Sequence, residues 1–359
     1  MSLPVEFSRF PSHWDVLPFT KAIKDSTSGN VKIQKSEYSE SGDIPIVDQG
    51  QSVFGGYTDD ANAICKADLP TIIFGDHTRA FKYVEIPFAL GADGAKVLEP
   101  VAKLDKRFLY HYLKQLRLES AGYSRHYKFL KETYVPVPPL AEQKRIAAIL
   151  DKADAIRRKR QQAIQLADEF LRSVFLDMFG DIPAKKSPFE FKGCRGAVSA
   201  HSGKSSKAVL SDQITEIPIY GGNGVNGYAT KALYDEPVIV VGRVGQQCAI
   251  THLTSGPSWV TDNAIVVKIV DKEKFEPVYL AHAFQNSPIR DVVTRLDLPF
   301  VNQAMILDHP IPNPPIELQR KYVDIYRKVL TTVGGQNKAA DYSFNCFNSL
   351  SQKAFSGQL

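Results

Sequence analysis

No hydrophobic run in this 359-residue chain is long enough to cross a membrane. Pro, Gly or charge interrupts each one before the ~18–20 apolar residues that a span requires. Cysteine is sparse: Cys65, Cys194, Cys248 and Cys346 lie far apart and form no Cys-x-x-Cys pair, which excludes a disulfide framework and a zinc finger. The eight histidines are equally scattered, so no metal site is expected. The opening residues lack the apolar stretch and small-residue cleavage site of a signal peptide, and the expected location is the cytoplasm. A strong charge of either sign is also missing. With 44 Lys and Arg against 39 Asp and Glu, the net charge of +5 is compatible with nucleic acid but too weak to argue for it alone. The remainder, 43% hydrophobic and 23% charged, is the balance of a globular protein, and the length suggests two or three domains.

What is present is a repeat. Ile44-Pro45-Ile46-Val47 returns as Ile217-Pro218-Ile219-Tyr220, and Ile72-Ile73-Phe74-Gly75 as Ile239-Val240-Val241-Gly242. Leu109-Tyr110-His111-Tyr112-Leu113 returns as Leu280-Ala281-His282-Ala283-Phe284, and Val135-Pro136-Val137-Pro138-Pro139-Leu140 as Ile311-Pro312-Asn313-Pro314-Pro315-Ile316. Four pairs in the same order at nearly constant offset are not chance, and self-similarity of this kind decides architecture before any motif does. The chain reads as block, helix, block, helix, with boundaries at 1–137, 138–180, 181–313 and 314–359. Each block is a small α+β (mixed α/β) domain. Strands are expected at 71–74, 238–241 and 264–270 between Gly- and Asp-rich turns, and helices at 106–118 and 278–284.

The first long helix is expected over 140–179, about 60 Å at about 1.5 Å per residue. Pro138 and Pro139 stand just ahead of it, where their missing N–H groups cost nothing. Ile146, Ile149, Ala153, Ile156, Ala163, Ala167, Phe170 and Val174 come next at three- and four-residue steps, the spacing of a coiled-coil seam that Arg160 interrupts. Asp181-Ile182-Pro183 is expected to end it. The second helix opens with Tyr322, Ile325, Val329 and Thr332, and Gly334-Gly335 predicts a kink or break before Ala339, Cys346, Leu350 and Phe355 resume the seam. Two helices with one narrow apolar face each are expected to bury those faces on each other, antiparallel.

Enzyme motifs fail on inspection. Gly222-Asn223-Gly224-Val225-Asn226-Gly227 matches the dinucleotide-binding pattern by letter, but leaves no room for the helix that must come after it and has Gln247 where an acid belongs. Gly203-Lys204-Ser205 ends like a phosphate loop whose earlier glycine falls on Val198. Asn313-Pro314-Pro315-Ile316 resembles the Asn-Pro-Pro-aromatic motif of DNA aminomethyltransferases, with Ile replacing the ring that stacks on the base. Glu190-Phe191-Lys192 lacks the upstream acidic partner of a nuclease site. The chain reads as a recognition scaffold.

Pro138-Pro139-Leu140-Ala141-Glu142-Gln143-Lys144-Arg145-Ile146, running into Ile149-Leu150-Asp151-Lys152-Ala153-Asp154-Ala155-Ile156, resembles the central helix of type I restriction-modification specificity (S) subunits. Residues 171–181, from Leu171 to Asp181, are similar to the usual ending of that helix. Gly242-Arg243-Val244-Gly245 and Trp259-Val260-Thr261-Asp262-Asn263-Ala264 are similar to a stretch of such subunits' target recognition domains, with Phe74-Gly75-Asp76-His77-Thr78-Arg79 and Gly91-Ala92-Asp93-Gly94 a variant of it. The second helix start, Pro314-Pro315-Ile316-Glu317-Leu318-Gln319-Arg320, is a degenerate copy. The resemblance implies two target recognition domains, each reading one part of an asymmetric bipartite site in double-stranded DNA. It also implies two long helices that hold the domains apart and bind methyltransferase (M) subunits. Methyl transfer from S-adenosylmethionine, and ATP- and Mg-dependent cleavage by restriction (R) subunits, would belong to those partners. This chain would be non-catalytic, without a cofactor of its own and without a membrane partner.

Reading sequence needs side chains that reach base edges, and positioning needs cations on phosphates. In the first block the candidates are His77, Thr78, Arg79 and Lys82, then Arg125, His126, Tyr127 and Lys128 in a segment that begins at Tyr123. In the second they are Asn223, Asn226, Tyr228 and Lys231, then Arg243 and Gln246, then Asn302 and Gln303, with Lys204 and Lys207 for phosphates. For each the bland alternative is a solvated loop. Two other readings of the whole chain stay open: a scaffold that assembles methyltransferases without reading DNA, and a self-sufficient methyltransferase or nuclease, which the failed motifs disfavour.

Overall fold

The computed structural model describes residues 10–92, 94–101, 103–116, 118, 124–293 and 299–359, with backbone alone at 292, 333–346 and 348. Asp93 and Tyr123 therefore lie outside the described residues, as do the side chains of Ala339 and Cys346. The chain divides into two compact units, Met1–Gln161 with Ala339–Leu359, and Gln162–Lys338.

In the first unit β1 (Asp15–Pro18), α1 (Phe19–Ala22), β2 (Ile23–Asp25), β3 (Lys32–Ile33), β4 (Ile44–Val47) and β5 (Gly56–Thr58) come first. They are succeeded by β6 (Thr71–Gly75), β7 (Phe81–Val84), β8 (Ala89–Gly91), β9 (Ala95–Pro100), α2 (Lys106–Gln115), α3 (Tyr127–Leu130) and β10 (Tyr134–Val137). Four-stranded sheets form in the orders β2-β9-β6-β7 and β3-β8-β4-β5, and β1 pairs with β10. Strand β6 is buried along its whole length between β9 and β7, which is why its sequence is a continuous apolar run without alternation. Asp105 caps α2, accepting from the backbone N–H groups of Arg107 and Phe108 at 3.0 and 2.9 Å. That fixes the face on which Phe108, Leu109, Tyr112 and Leu113 enter the core.

The long helix α4 (Leu140–Phe179) comes next, with the bounds its periodicity predicts. The second unit repeats the plan: β11 (Phe191–Lys192), β12 (Val198–Ser202), β13 (Leu210–Ser211), β14 (Pro218–Gly221), β15 (Gly224–Ala229), β16 (Ile239–Gly242), β17 (Thr251–Leu253), β18 (Trp259–Val260), β19 (Ala264–Ile269), α5 (Pro277–Gln285), α6 (Ile289–Val293), α7 (Gln303–Asp308), β20 (Ile311–Pro312) and α8 (Ile316–Ala354). Its sheets run β12-β19-β16-β17 and β13-β15-β14-β18, and β11 pairs with β20. One edge differs. In the first unit β3 lies beside β8, in parallel, whereas its counterpart β13 lies beside β15, antiparallel. The mixed helix-and-sheet class and the duplication are as expected.

Each unit holds the start of one long helix and the end of the other. The first unit's core includes Ile146, Ala147 and Leu150 of α4 with Ala354 of α8, and Phe355 packs at a tilt on Phe108 and edge-to-face on Tyr112, at centroid distances of 5.5 and 5.4 Å. In the second unit Phe175 and Phe179 of α4 pack with Tyr322 of α8 and with Tyr279. Within each unit, the start of one long helix thus packs into the same core as the end of the other.

Several expectations need correction. Ile156 and Phe170 are 51% and 52% exposed, so they lie outside the packed seam, which runs through Ile146, Ala147, Leu150, Leu171, Phe175 and Phe179. The phase is set by which face meets the globular block, and neighbouring apolar residues concealed it. Ile149, Val174, Ile325 and Val329 are half-buried. Gly180, at φ +87°, ends α4, ahead of the Asp-Ile-Pro expected to do so. A Cβ there would stand 2.2 Å from the Lys186 carbonyl oxygen. Helix α8 runs without a break through Gly334 and Gly335, because a glycine lowers helix propensity by only ~1 kcal/mol and keeps its backbone hydrogen bond.

Candidate nucleic-acid interface

Four connections correspond between the two units, and several of the candidate residues lie on them. In the first unit these are the β4–β5 loop (48–55), the β6–β7 loop (76–80), the β8–β9 loop (92–94) and the segment leading into α3. In the second they are β14–β15, β16–β17, β18–β19 and the segment leading into α7.

Asp76 ties the first set together. Its carbonyl accepts from the His126 N–H at 2.9 Å, its carboxylate accepts from the Tyr127 N–H at 2.7 Å, and its own N–H donates to the Gly94 carbonyl at 2.7 Å. The two first-block candidate segments, 77–79 and 125–128, are thus brought side by side. Their side chains differ in availability. Arg79 is exposed at φ +60° and donates to the Leu118 carbonyl at 3.0 Å. Arg125 and Lys128 are exposed. His77 and Thr78 are half-buried, and the Thr78 hydroxyl donates to the Gln49 carbonyl. His126 is buried, with Nδ1 3.0 Å from the Asp76 carbonyl. Tyr127 packs between Phe19 and Phe74, and burial, reinforced by Asp25 and Asp76, pushes its hydroxyl up to about 12. Lys82 is only 4% exposed and turns inward, 2.7 Å from the Asp48 carbonyl and 3.3 Å from its carboxylate. Burial lowers the pKa of its ammonium, against the pull of Asp48.

The second set repeats this scaffold with other side chains. The Arg243 carbonyl accepts from the Val301 N–H at 2.9 Å, as Asp76 does from His126, and the Arg243 N–H donates to the Asn263 carbonyl at 3.3 Å. The guanidinium is exposed and reaches the Ser202 hydroxyl at 3.4 Å. Gln246 lies exposed in the adjoining turn, and the Gly245 N–H donates to the Pro299 carbonyl. Asn302 caps α7 through the Met305 N–H at 2.9 Å, next to the exposed Gln303. Both loops depend on a glycine at the strand end, since a Cβ on Gly75 would stand 2.5 Å from the Gln49 carbonyl oxygen and one on Gly242 2.0 Å from that of Gln247. The six-letter glycine motif is a hairpin: Asn223 sits in the turn before Gly224 (φ +91°), and Gly224–Ala229 is strand β15. That turn meets the Arg243 loop, for a Cβ on Gly222 would lie 3.1 Å from the Gly242 Cα.

Not all candidates converge. Lys204 joins the cluster through its N–H to Val260 and its carbonyl to the Trp259 indole, both at 2.8 Å. Tyr228, Lys207 and Lys231 lie toward the other end of β15, where Thr230 bonds Val209. Six residue steps, about 20 Å at about 3.3 Å each, separate that end from Asn223. Asn226 is exposed midway. The sequence expectations omitted Gln49 and Gln51, which border the Asp76 loop. Extending the Ile44–Val47 and Ile217–Tyr220 repeat by four residues sets Gln49 opposite Gly222 and Gln51 opposite Gly224, and is the signal that points to them. Among the described residues no group of three His, Cys, Asp or Glu is placed to hold a metal ion, and no helix is long and apolar enough to cross a membrane.

Residues 21–166 match the family of type I restriction modification DNA specificity domains, so the resemblance read from the helix motif is borne out. The chain is 26% identical over 153 residues to the specificity subunit of the type I restriction enzyme EcoR124I/EcoR124II of Escherichia coli, a match covering 39% of this chain and 38% of that one. The match thus spans about two fifths of the length of that curated relative. In fold, the chain is similar to the type I restriction-modification S subunit of M. genitalium, with a TM-score of 0.74 and 17% identity over 99% of this chain and 98% of the other. The HsdS subunit of Thermoanaerobacter tengcongensis aligns over 98% of both chains at 14% identity with a TM-score of 0.34.

Proposed function

We propose that the chain is the non-catalytic DNA-specificity subunit of a type I restriction-modification enzyme. Segments 1–137 and 181–313 are its target recognition domains, and 138–180 and 314–359 its two helical spacers. Each recognition domain reads one half of a bipartite site, and the helices set the spacing and dock methyltransferase subunits. Those partners carry S-adenosylmethionine and, in complexes that also cleave, restriction subunits carry ATP and Mg.

The observation that carries this reading is the equivalence of two backbone bonds, His126 N–H to Asp76 and Val301 N–H to Arg243, both 2.9 Å. One scaffold is built twice, yet the side chains it presents differ: His77, Thr78 and Arg79 in the first copy, Arg243 and Gln246 in the second. Two equal frames with unequal donors suit two unequal half-sites, because base identity is read by side-chain hydrogen bonds while the frame only positions them.

Arg243 is the sharpest test. A bidentate arginine contact to guanine is worth ~1–3 kcal/mol of discrimination. With methyltransferase subunits present, Arg243→Ala is expected to relax one half-site in a map of methylated positions and leave the other intact, while the chain alone transfers no methyl group. Methylation unchanged across a randomised site library would remove Arg243 from the reading surface. Binding without any sequence preference by the unmutated complex would refute the reading itself.

A further inference from the structure

We propose that the β4–β5 loop is a reading element of the first recognition domain, with Gln51 presenting its amide to a base edge, and that Lys82 is the positioning residue beneath it, acting through Asp48 and touching no phosphate. The inference rests on the reading that this chain recognises DNA sequence.

Two observations place the loop among the reading elements. Gln49 binds the Asp76 loop twice, its side-chain oxygen accepting the His77 N–H at 3.2 Å and its carbonyl accepting the Thr78 hydroxyl. Exposed Gln51 then lies beside Thr78, its Nε2 3.5 Å from the Thr78 carbonyl. The second unit places its equivalent turn, at Gly222 and Asn223, against the Arg243 loop. The same connection therefore borders the same loop in both copies, and in both it carries an exposed side-chain amide. A side-chain amide carries two N–H donors and a carbonyl acceptor, and with one N–H toward the Thr78 carbonyl the remaining donor and acceptor match the N7 and N6 edge of adenine.

The loop is held from below. Asp48 accepts the Gly50 N–H at 2.8 Å and the Lys82 ammonium at 3.3 Å, and the ammonium also donates to the Asp48 carbonyl at 2.7 Å. Gly55 and Gly91 close around Asp48, so that a Cβ on Gly55 would stand 2.6 Å from its carboxylate and one on Gly91 2.6 Å from its Cβ. The Lys82 side chain is 3% exposed, and its charge faces a carboxylate, away from solvent. A cation buried in this way fixes a loop; it does not neutralise a phosphate.

The two roles separate experimentally. The full chain with its methyltransferase subunits is selected against a duplex library randomised across both half-sites, and affinity is measured against salt. Gln51→Ala, on an exposed side chain that supports no core, is expected to weaken discrimination at one base pair of one half-site by roughly 5- to 150-fold. Lys82→Met is expected to blur that half-site while the slope of log affinity against log salt stays at the unmutated value. A lysine on a phosphate contributes about 0.9 to that slope. A Gln51→Ala complex with an unmutated preference, or a Lys82→Met complex with a slope smaller by about one, would overturn the assignment. Should the unmutated complex itself select no sequence, the failure lies in the DNA-reading proposal.

Discussion

Single residues in this protein do different work from what their chemistry suggests in isolation. His282 appears in the sequence only as part of the repeated helix, between two alanines where its counterpart His111 lies between two tyrosines. In the fold its Nδ1 lies 2.6 Å from the Tyr322 hydroxyl, with the Tyr326 and Phe175 rings around it at centroid distances of 5.0 and 6.5 Å. Burial pushes its pKa down to about 4. The folded state then resists a proton that the unfolded chain accepts near the ordinary value of about 6.5. Stability contributed by the neutral ring is complete above that value and is lost as pH falls from there toward about 4, by up to about 3 kcal/mol. His282→Gln, which cannot titrate, should show a correspondingly smaller loss of unfolding free energy over that window. Equal pH slopes in the variant and the unmutated protein would show that the ring does take up its proton when folded. Lys82 teaches a related lesson. Its place after the Asp76–Arg79 turn makes it a candidate DNA contact, and only the fold reveals the carboxylate beneath it.

At the scale of elements, the repeat extends to hydrogen bonding. Gln143, buried at the start of α4, donates to the carbonyls of Lys103 and Pro138 at 2.9 and 2.7 Å and accepts the Asp105 N–H at 2.7 Å. Gln319, buried at the start of α8, makes the same three bonds to Lys274, Pro314 and Glu276 at 2.8, 3.0 and 2.9 Å. Each glutamine locks a long helix to the residues that precede α2 or α5. Gln143→Ala leaves these buried groups without partners and should cost about 2–4 kcal/mol in urea unfolding. Gln143→Glu should not rescue it, because a carboxylate cannot donate to two carbonyls. A loss under about 0.5 kcal/mol would mean that water replaces the amide. The sequence displays both glutamines after their Pro-Pro pairs, but only one partner of each, Pro138 or Pro314, is local; the other two lie 38–45 residues away and belong to tertiary structure.

At the scale of the molecule, the unit boundaries fall within the long helices, between Gln161 and Gln162 in α4 and between Lys338 and Ala339 in α8. If the helices set the half-site spacing, four residues inserted after Gln161 add about 6 Å and turn the rest of the helix by ~40° beyond a full turn. That length is close to two base pairs at ~3.4 Å each. A matched insertion after Lys338 keeps both helices in step. Methylation mapped with the partnered insertion variant should show a changed spacer, both half-site sequences retained, and some stability lost through the stutter in the seam. Altered half-site bases with the original spacer would leave the helices without a ruler's role.

The range of each interaction decides how much of this is legible in the sequence. Periodicity and the Pro138-Pro139 pair placed α4 in the sequence, and Gly180 rather than the later proline ends it, because helix bounds are set by neighbours within a few positions. Self-similarity determined that one fold is built twice, and the fully apolar runs at β6 and β16 marked the central strands of each copy. Tertiary structure alone decided which face of α4 is packed, since Ile149 and Leu150 are equally apolar and only the shape of the block they meet distinguishes them. It also decided which polar loops converge: Asp76 and His126 are 50 residues apart, and a backbone bond between them leaves no local trace in the sequence. The edge strand's change of side, from β8 in one copy to β15 in the other, belongs to the same category, because short strands of two residues carry too little pattern to specify a partner.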